Sequence, residues 1–209
     1  MKKRGFEIVS KYRNAGLHLP QRQTIASAGY DFECAQDIVL PSIWCMNFVR
    51  IFRLIRNSHE LNERDLELAE KVLKPFLVPT GIKAYMPEDE VLILANRSSN
   101  TYKRNVTLPN GIGVIDSDYY NNEKNEGEIY FQMINYGVRP LKIKKGERIG
   151  QGIFMPYLKA DNDEPVQRQR LGGFGSSRTR NASYSAPDCA TTRCMPGTSM
   201  QALHPSYRK

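Results

Sequence analysis

The sequence predicts an all-β fold, an antiparallel barrel or sandwich, with a helical pair inserted near its start. The first observation is a cadence. From Pro79 onward, short apolar runs (91–94, 113–115, 129–134, 141–143 and 149–154) alternate closely with Gly, Pro and Asn signals, which argues against βαβ units. The second is a change of period between residues 43 and 74, where apolar residues recur at helical spacing. The third is the Asn110-Gly111 pair between Leu108 and Ile112, a strong signal for a tight hairpin turn.

In chain order, residues 5–12 alternate well enough for a first strand, and 30–40 read as a second, closed by Pro41. Trp44, Phe48, Ile51, Phe52 and Ile55 then form one helical face, with Arg50, Arg53 and Arg56 on another. Asn62 is placed to cap a second helix, with Asp65 three residues on. Its stripe is Leu66, Ala69, Val72 and Leu73, Glu67 and Lys71 pair at i,i+4, and Pro75 stops it. Residues 43–74 are thus expected to be a helical insertion packed outside a β domain spanning 1–177.

The last 32 residues have a different character. From Arg178 the chain loses all periodicity and nearly all aliphatics, and is rich in Ser, Thr, Pro and Arg. It is expected to be a disordered tail, appended or produced by read-through. Arg178, Arg180, Arg193, Arg208 and Lys209 against Asp188 account for half of the formal charge of +8. The remaining charge is mild for a nucleic-acid binder, and a small anionic substrate fits at least as well. No apolar run approaches the roughly 20 residues that span a bilayer, and no apolar leader opens the chain, so a cytoplasmic location without membrane contact is expected. The four cysteines form no CxxC and the three histidines have no ligand spacing, so the thiols read as reduced and incidental.

Four patches carry chemistry. Asn96-Arg97-Ser98-Ser99 follows the strand at 91–94 and offers a guanidinium fork, hydroxyls and backbone N–H groups to phosphate oxygens, although a bare Arg-Ser-Ser is ordinarily a polar turn. The segment from Asn110 to Tyr119 (NGIGVIDSDY) sets hairpin amides where they can read a planar base. Asp116 ends its apolar strand, as a general base would, and Tyr119 could offer a flat face to a sugar; a turn Asp and a core Tyr is the equal alternative. Arg148-Ile149-Gly150-Gln151-Gly152 puts an amide in an apolar strand, where it points either at a ligand or at solvent. The segment from Arg170 to Ser177 (RLGGFGSS) sets one Phe among glycines. That pattern can close over a ligand, the Phe stacking on a base and the Arg and hydroxyls meeting an anion.

Taken in order, and preceded by Ala28-Gly29-Tyr30-Asp31, these patches resemble the five motifs of the trimeric dUTPase family, over roughly residues 5–177. The resemblance implies a distorted jelly-roll β-barrel that hydrolyses dUTP to dUMP and pyrophosphate with Mg²⁺. It implies that Asp116 activates the water attacking the α-phosphorus. It sets Tyr119 against the deoxyribose and has Asn110 with the backbone of Gly113–Ile115 read the uracil. Arg97, Ser98, Ser99 and Gln151 hold phosphates, and Asp31 touches Mg²⁺ through water. Phe174 covers the uracil, while Arg170, Ser176 and Ser177 meet the β- and γ-phosphates from a Gly-rich lid at 168–177. It also implies a homotrimer whose sites are shared between subunits. The chain departs from the family in having Asn96 where Gly is frequent and Ser177-Arg178 where a Thr-Gly pair is frequent. A longer segment, YNNEKNE, follows Tyr119, so that turn is expected to be extended. Two alternatives compete. One is a dCTP deaminase, which shares the fold. The other is a regulatory module that binds a repressor-type protein through 43–74, as some phage-borne relatives do.

Overall fold

The computed structural model describes residues 2–45, 74–164, and 52, 56 and 173 individually. Eleven strands fall in these segments. They are β1 (Gly5–Ile8), β2 (Tyr30–Glu33), β3 (Ile38–Leu40), β4 (Phe76–Pro79), β5 (Ile82–Tyr85), β6 (Glu90–Ala95), β7 (Val106–Thr107), β8 (Gly113–Asp116), β9 (Tyr130–Asn135), β10 (Leu141–Ile143) and β11 (Arg148–Pro156). All named pairings are antiparallel, giving sheets β2-β11-β6-β8, β4-β9-β7, β1-β5 and β10-β3. They wrap into an antiparallel barrel, as the cadence of short runs anticipates, in the distorted jelly-roll form that the resemblance implies. Among the described residues no helix is long and apolar enough to cross a membrane.

Inward-facing residues of every sheet fill one core, among them Phe32, Leu40, Val78, Leu92, Ile129, Phe131, Met133 and Ile149. Phe6, Phe32 and Phe131 form a chain of tilted and edge-on ring contacts, with centroids 5.3 and 5.7 Å apart. Two glycines make room for it. A Cβ on Gly150 would lie 2.0 Å from the Phe131 ring, and one on Gly152 would lie 2.7 Å from that of Phe32. The glycines of β11 are therefore a packing requirement, because the aromatic rings occupy the volume their side chains would take.

Several local features differ from expectation. The first strand ends at Ile8 and runs into a 3-10 turn, Ser10–Tyr12. The run 30–40 is two strands, since β2 pairs with β11 whereas β3 crosses to β10. The polar turn after β6 is a helix, α1 (Ser98–Arg104), closed by Asn105 in the left-handed region at φ 55°. The turn at Asn110-Gly111 is present, with Gly111 at φ +70°, but β7 and β8 join different sheets and do not pair with each other. In the insertion, Ile43–Cys45 is a 3-10 turn, and Phe52 and Arg56 are helical. The rest of that reading, and the tail 178–209, lie outside the described residues.

Among the described residues, one carboxyl side chain sits in the interior. Glu128 is buried, accepts a hydrogen bond of 2.5 Å from the Tyr130 hydroxyl, and leaves its Oε1 without a hydrogen-bond partner. Burial pushes its carboxyl above the ordinary range, and the same burial together with the Glu128 contact pushes the Tyr130 phenol up. A carboxyl whose folded pKa is raised binds its proton more tightly in the native state. Its contribution is therefore full below the unfolded-state pKa and is lost as pH rises through the folded one. Glu128→Gln should remove that loss, so its melting temperature should gain on the parent's between pH 5 and pH 8. A constant difference across that range, measured by thermal melts, would show that Glu128 does not titrate there.

Candidate active site

The site grows from a bulge in β11. Arg148 pairs with Glu33 and Gly150 with Phe32, so Ile149 is an extra residue between them. Ile149 and Gly150 are both buried. Strict alternation would send Arg148 and Gln151, three apart, to opposite faces; the bulge returns both to the outer face. There Gln151 lies opposite Asp31 on one side and Ala95 on the other.

Asp31 is the centre of this group. Its carboxylate, 11% exposed, takes the Arg97 Nε at 3.4 Å on one oxygen and the Arg148 Nη1 at 3.2 Å on the other. Two guanidiniums against one carboxylate give this trio one excess positive charge, although a second carboxylate, Glu33, lines the cleft beside it. A cleft of about 420 Å³ opens beside it, lined by His18, Leu19, Gln21, Gln23, Asp31, Glu33 and Arg148. Gln151 donates through Nε2 to the Asn96 carbonyl at 3.3 Å, and a Cβ on Gly29 would come within 2.5 Å of its Oε1. Gly29 therefore allows the chain to pass directly over that amide.

Arg97 caps α1, so the helix's positive end begins at Ser98 and Ser99. Asparagines fix this start. The Asn96 Oδ1 accepts from the Arg97 N–H and the Asn100 Nδ2, both at 2.9 Å, while Asn100, which is buried, also donates to the Ile149 carbonyl at 2.7 Å. Helix and bulge are thereby tied together. Asn96 is thus the local hydrogen-bonding hub, more than a tolerant substitute for glycine.

The other predicted residues are spread along β8, at increasing distance from this group. Gly113 sits beside Leu94, so Asn110 and the turn are near the Arg97 end of β6, but β8 runs the opposite way and leaves Asp116 beside Val91. Asp116 and Asp31 share the outer face but are about 20 Å apart by strand geometry, three strands across and four residues along. β8 is an edge of its sheet, with Val114 53% exposed. Ile115 is half-buried, and Tyr119 is buried in the turn that follows. Of the segment 168–177 only Gly173 is described; a Cβ there would meet the Tyr119 ring at 3.0 Å, in the same chain. Arg170, Phe174, Ser176 and Ser177 lie outside the described residues.

Sequence reasoning gave no role to Arg148, Gly29 or Asn100. An Arg three residues from Gln151 is the one visible signal, and it reads correctly only if a bulge is allowed for.

A family model described as dUTPase matches residues 62–179, more than half of the chain. A deoxyuridine 5'-triphosphate nucleotidohydrolase of Lactococcus lactis is 44% identical over 178 residues, 85% of this chain and 99% of that protein. The chain belongs to the dUTPase family. Among solved structures, the dUTPase from Streptococcus mutans superimposes with a TM-score of 0.58 at 38% identity, covering 76% of this dUTPase-family chain and 99% of the other. A dUTPase from phage phi11 of S. aureus, in which a structural Mg(II) ion is coordinated, shares the fold at 14% identity and a TM-score of 0.52, over 80% and 98% of the two chains.

The charge balance of the dUTPase-family cleft can be tested without substrate. Asp31→Asn should tighten the binding of inorganic pyrophosphate, in the absence of divalent metal, by about three- to fivefold, because a partly exposed like charge is removed from the anion's surroundings. Titration calorimetry reads this directly. Weaker binding would mean that Asp31 is needed to hold the two arginines in place.

Proposed function

We propose that this protein hydrolyses dUTP to dUMP and pyrophosphate, in sites shared between three copies of the chain. One observation carries the reading: the anion-binding group (Asp31, Arg97, Arg148, Gln151) and Asp116 lie at separate places on one rigid sheet. A triphosphate at the first cannot have its α-phosphorus within reach of the second in the same chain. Symmetric assembly brings one copy's Asp116 to another copy's cleft.

In that arrangement Arg97, Gln151, Ser98 and Ser99 hold the phosphate chain. Asp116 accepts a proton from a water as its oxygen bonds to the α-phosphorus, and the bond to the bridging oxygen of the pyrophosphate breaks in line. Asn110 and the backbone of Gly113–Ile115 read the uracil edge, and Tyr119 lies against the pentose. Phe174 closes over the base, with Arg170, Ser176 and Ser177 on the outer phosphates; the contact between Gly173 and Tyr119 supports a lid at that position.

The donor set suits Mg²⁺ held mainly by the nucleotide. Among the described residues no three His, Cys, Asp or Glu side chains gather as a cage, and the Asp31 carboxylate already carries two guanidiniums. Contact through the ion's water shell is what such a carboxylate can offer. When bound, the ion neutralises phosphate charge and aligns the leaving group.

Pyrophosphate release should be strong with dUTP and weak with dTTP, UTP and dCTP, and Asp116→Asn should lower kcat by about 10²- to 10⁴-fold. Ammonia release from dCTP would instead indicate a deaminase. Refolding Asp116→Asn together with Arg97→Ala tests the sharing. Two inactive chains should regain about a quarter of parental activity if each site draws these residues from different copies. No recovery in a mixture of proven assembly would place both residues' work within one chain.

A further inference from the structure

Side chains of the turn that follows Tyr119 converge on that one residue. The Tyr119 hydroxyl donates to the Glu128 carbonyl at 3.0 Å and accepts from the Asn125 Nδ2 at 2.9 Å. The same amide nitrogen reaches the Glu128 carbonyl at 3.3 Å, while the Asn125 Oδ1 accepts from the Gly127 N–H at 3.2 Å. At the other end the Tyr119 carbonyl accepts from the Asn122 Nδ2 at 2.8 Å. Gly127, at φ +82°, passes so near that a Cβ would lie 2.6 Å from that carbonyl oxygen. The turn is itself moored. The Lys83 ammonium donates to the Asn121 Oδ1 at 2.6 Å, the Ser10 hydroxyl to Glu126 at 2.9 Å, and the Tyr120 hydroxyl to Glu7 at 2.7 Å.

The consequence is chemical. Tyr119 is 4% exposed, and both the donor and an acceptor site of its hydroxyl are engaged inside the turn. With the hydroxyl engaged, ring carbon is what the residue has left for a ligand, and Gly173 of the same chain already lies against one side of it. A pentose against that ring finds no hydrogen-bond partner there, which suits a deoxyribose; a 2'-hydroxyl pressed onto it would lose its water without compensation.

We infer that Asn125 is a positioning and specificity-determining residue. It holds the Tyr119 hydroxyl within the turn, and thereby makes the ring reject ribonucleotides. This inference rests on the dUTP reading above, in which Tyr119 meets the sugar. Of the two groups bonded to that hydroxyl, Asn125 is the one that acts through its side chain, so substitution can separate its effect from the backbone's.

The test is the ratio of kcat/KM for dUTP to that for UTP, in the full chain with Mg²⁺, for the parent, Asn125→Ala, Asn125→Leu, Tyr119→Phe and the Ala/Phe double variant. Asn125→Leu keeps the side chain's bulk and has no polar atom with which to hold the Tyr119 hydroxyl, so it serves where the alanine variant folds poorly. The ratio should fall about tenfold in each Asn125 variant, the scale of one buried hydrogen-bond partner. In the Tyr119→Phe background, Asn125→Ala should lower it no further, because the shared hydroxyl is already gone. An unchanged ratio in both Asn125 variants, even with a lower melting temperature, would reduce Asn125 to a structural role and overturn the inference. So would an undiminished effect in the Phe background. A parent that turns over neither nucleotide would overturn the dUTP reading itself, and is seen before any variant is made.

Discussion

The bulge at Ile149 determines which side chains can meet on the outer face of the main sheet, and most of the site follows from it. With Ile149 and Gly150 both turned inward, the core gains an aliphatic side chain and the space that the Phe131 ring occupies. The outer face gains Arg148 beside Gln151, and Arg148 completes the clamp on Asp31. Asn100 then bonds the carbonyl of Ile149 itself, so the helix that begins at Ser98 is referenced to the same irregularity. Core packing, the arginine pair and the helix start are thereby set by one extra residue in one strand.

Asp31 shows how such a site balances opposing needs. Two guanidiniums close together on a sheet face repel one another, and a carboxylate between them keeps them ordered. The same carboxylate limits the net charge available to an anion. The cleft is therefore ordered first and attractive second, which is the arrangement expected where alignment of a polyphosphate matters more than the strength with which it is held.

Much of this was legible in the sequence. The short runs at 91–94, 129–134 and 149–154 became β6, β9 and β11 because strands buried on one face leave a plain apolar signature. What stayed hidden depends on long-range partners. The segment 30–40 reads as one strand, yet its halves pair with β11 and β10, a choice made by residues more than a hundred positions away. Helix α1 carries no apolar stripe and is held by Asn96 and Asn100, whose contacts exist only once β11 is in place. The Asn-Gly signal correctly gave a turn, but its flanking strands belong to different sheets. Asp31, Arg97 and Gln151, singled out by motif order, lie together in the structure, whereas the distance of Asp116 follows from the antiparallel run of β8, which spacing along the chain does not encode.

That distance has a consequence for how the protein behaves as a population. A sheet this well knit cannot bend to bring Asp116 to Asp31, so under the shared-site reading an isolated chain is not a weak enzyme but no enzyme. Turnover then begins only above the concentration at which copies find one another, and dilution would switch it off rather than slow it. Newly made chains would stay silent until enough companions had folded, and the pool of active molecules would be set by mass action on assembly.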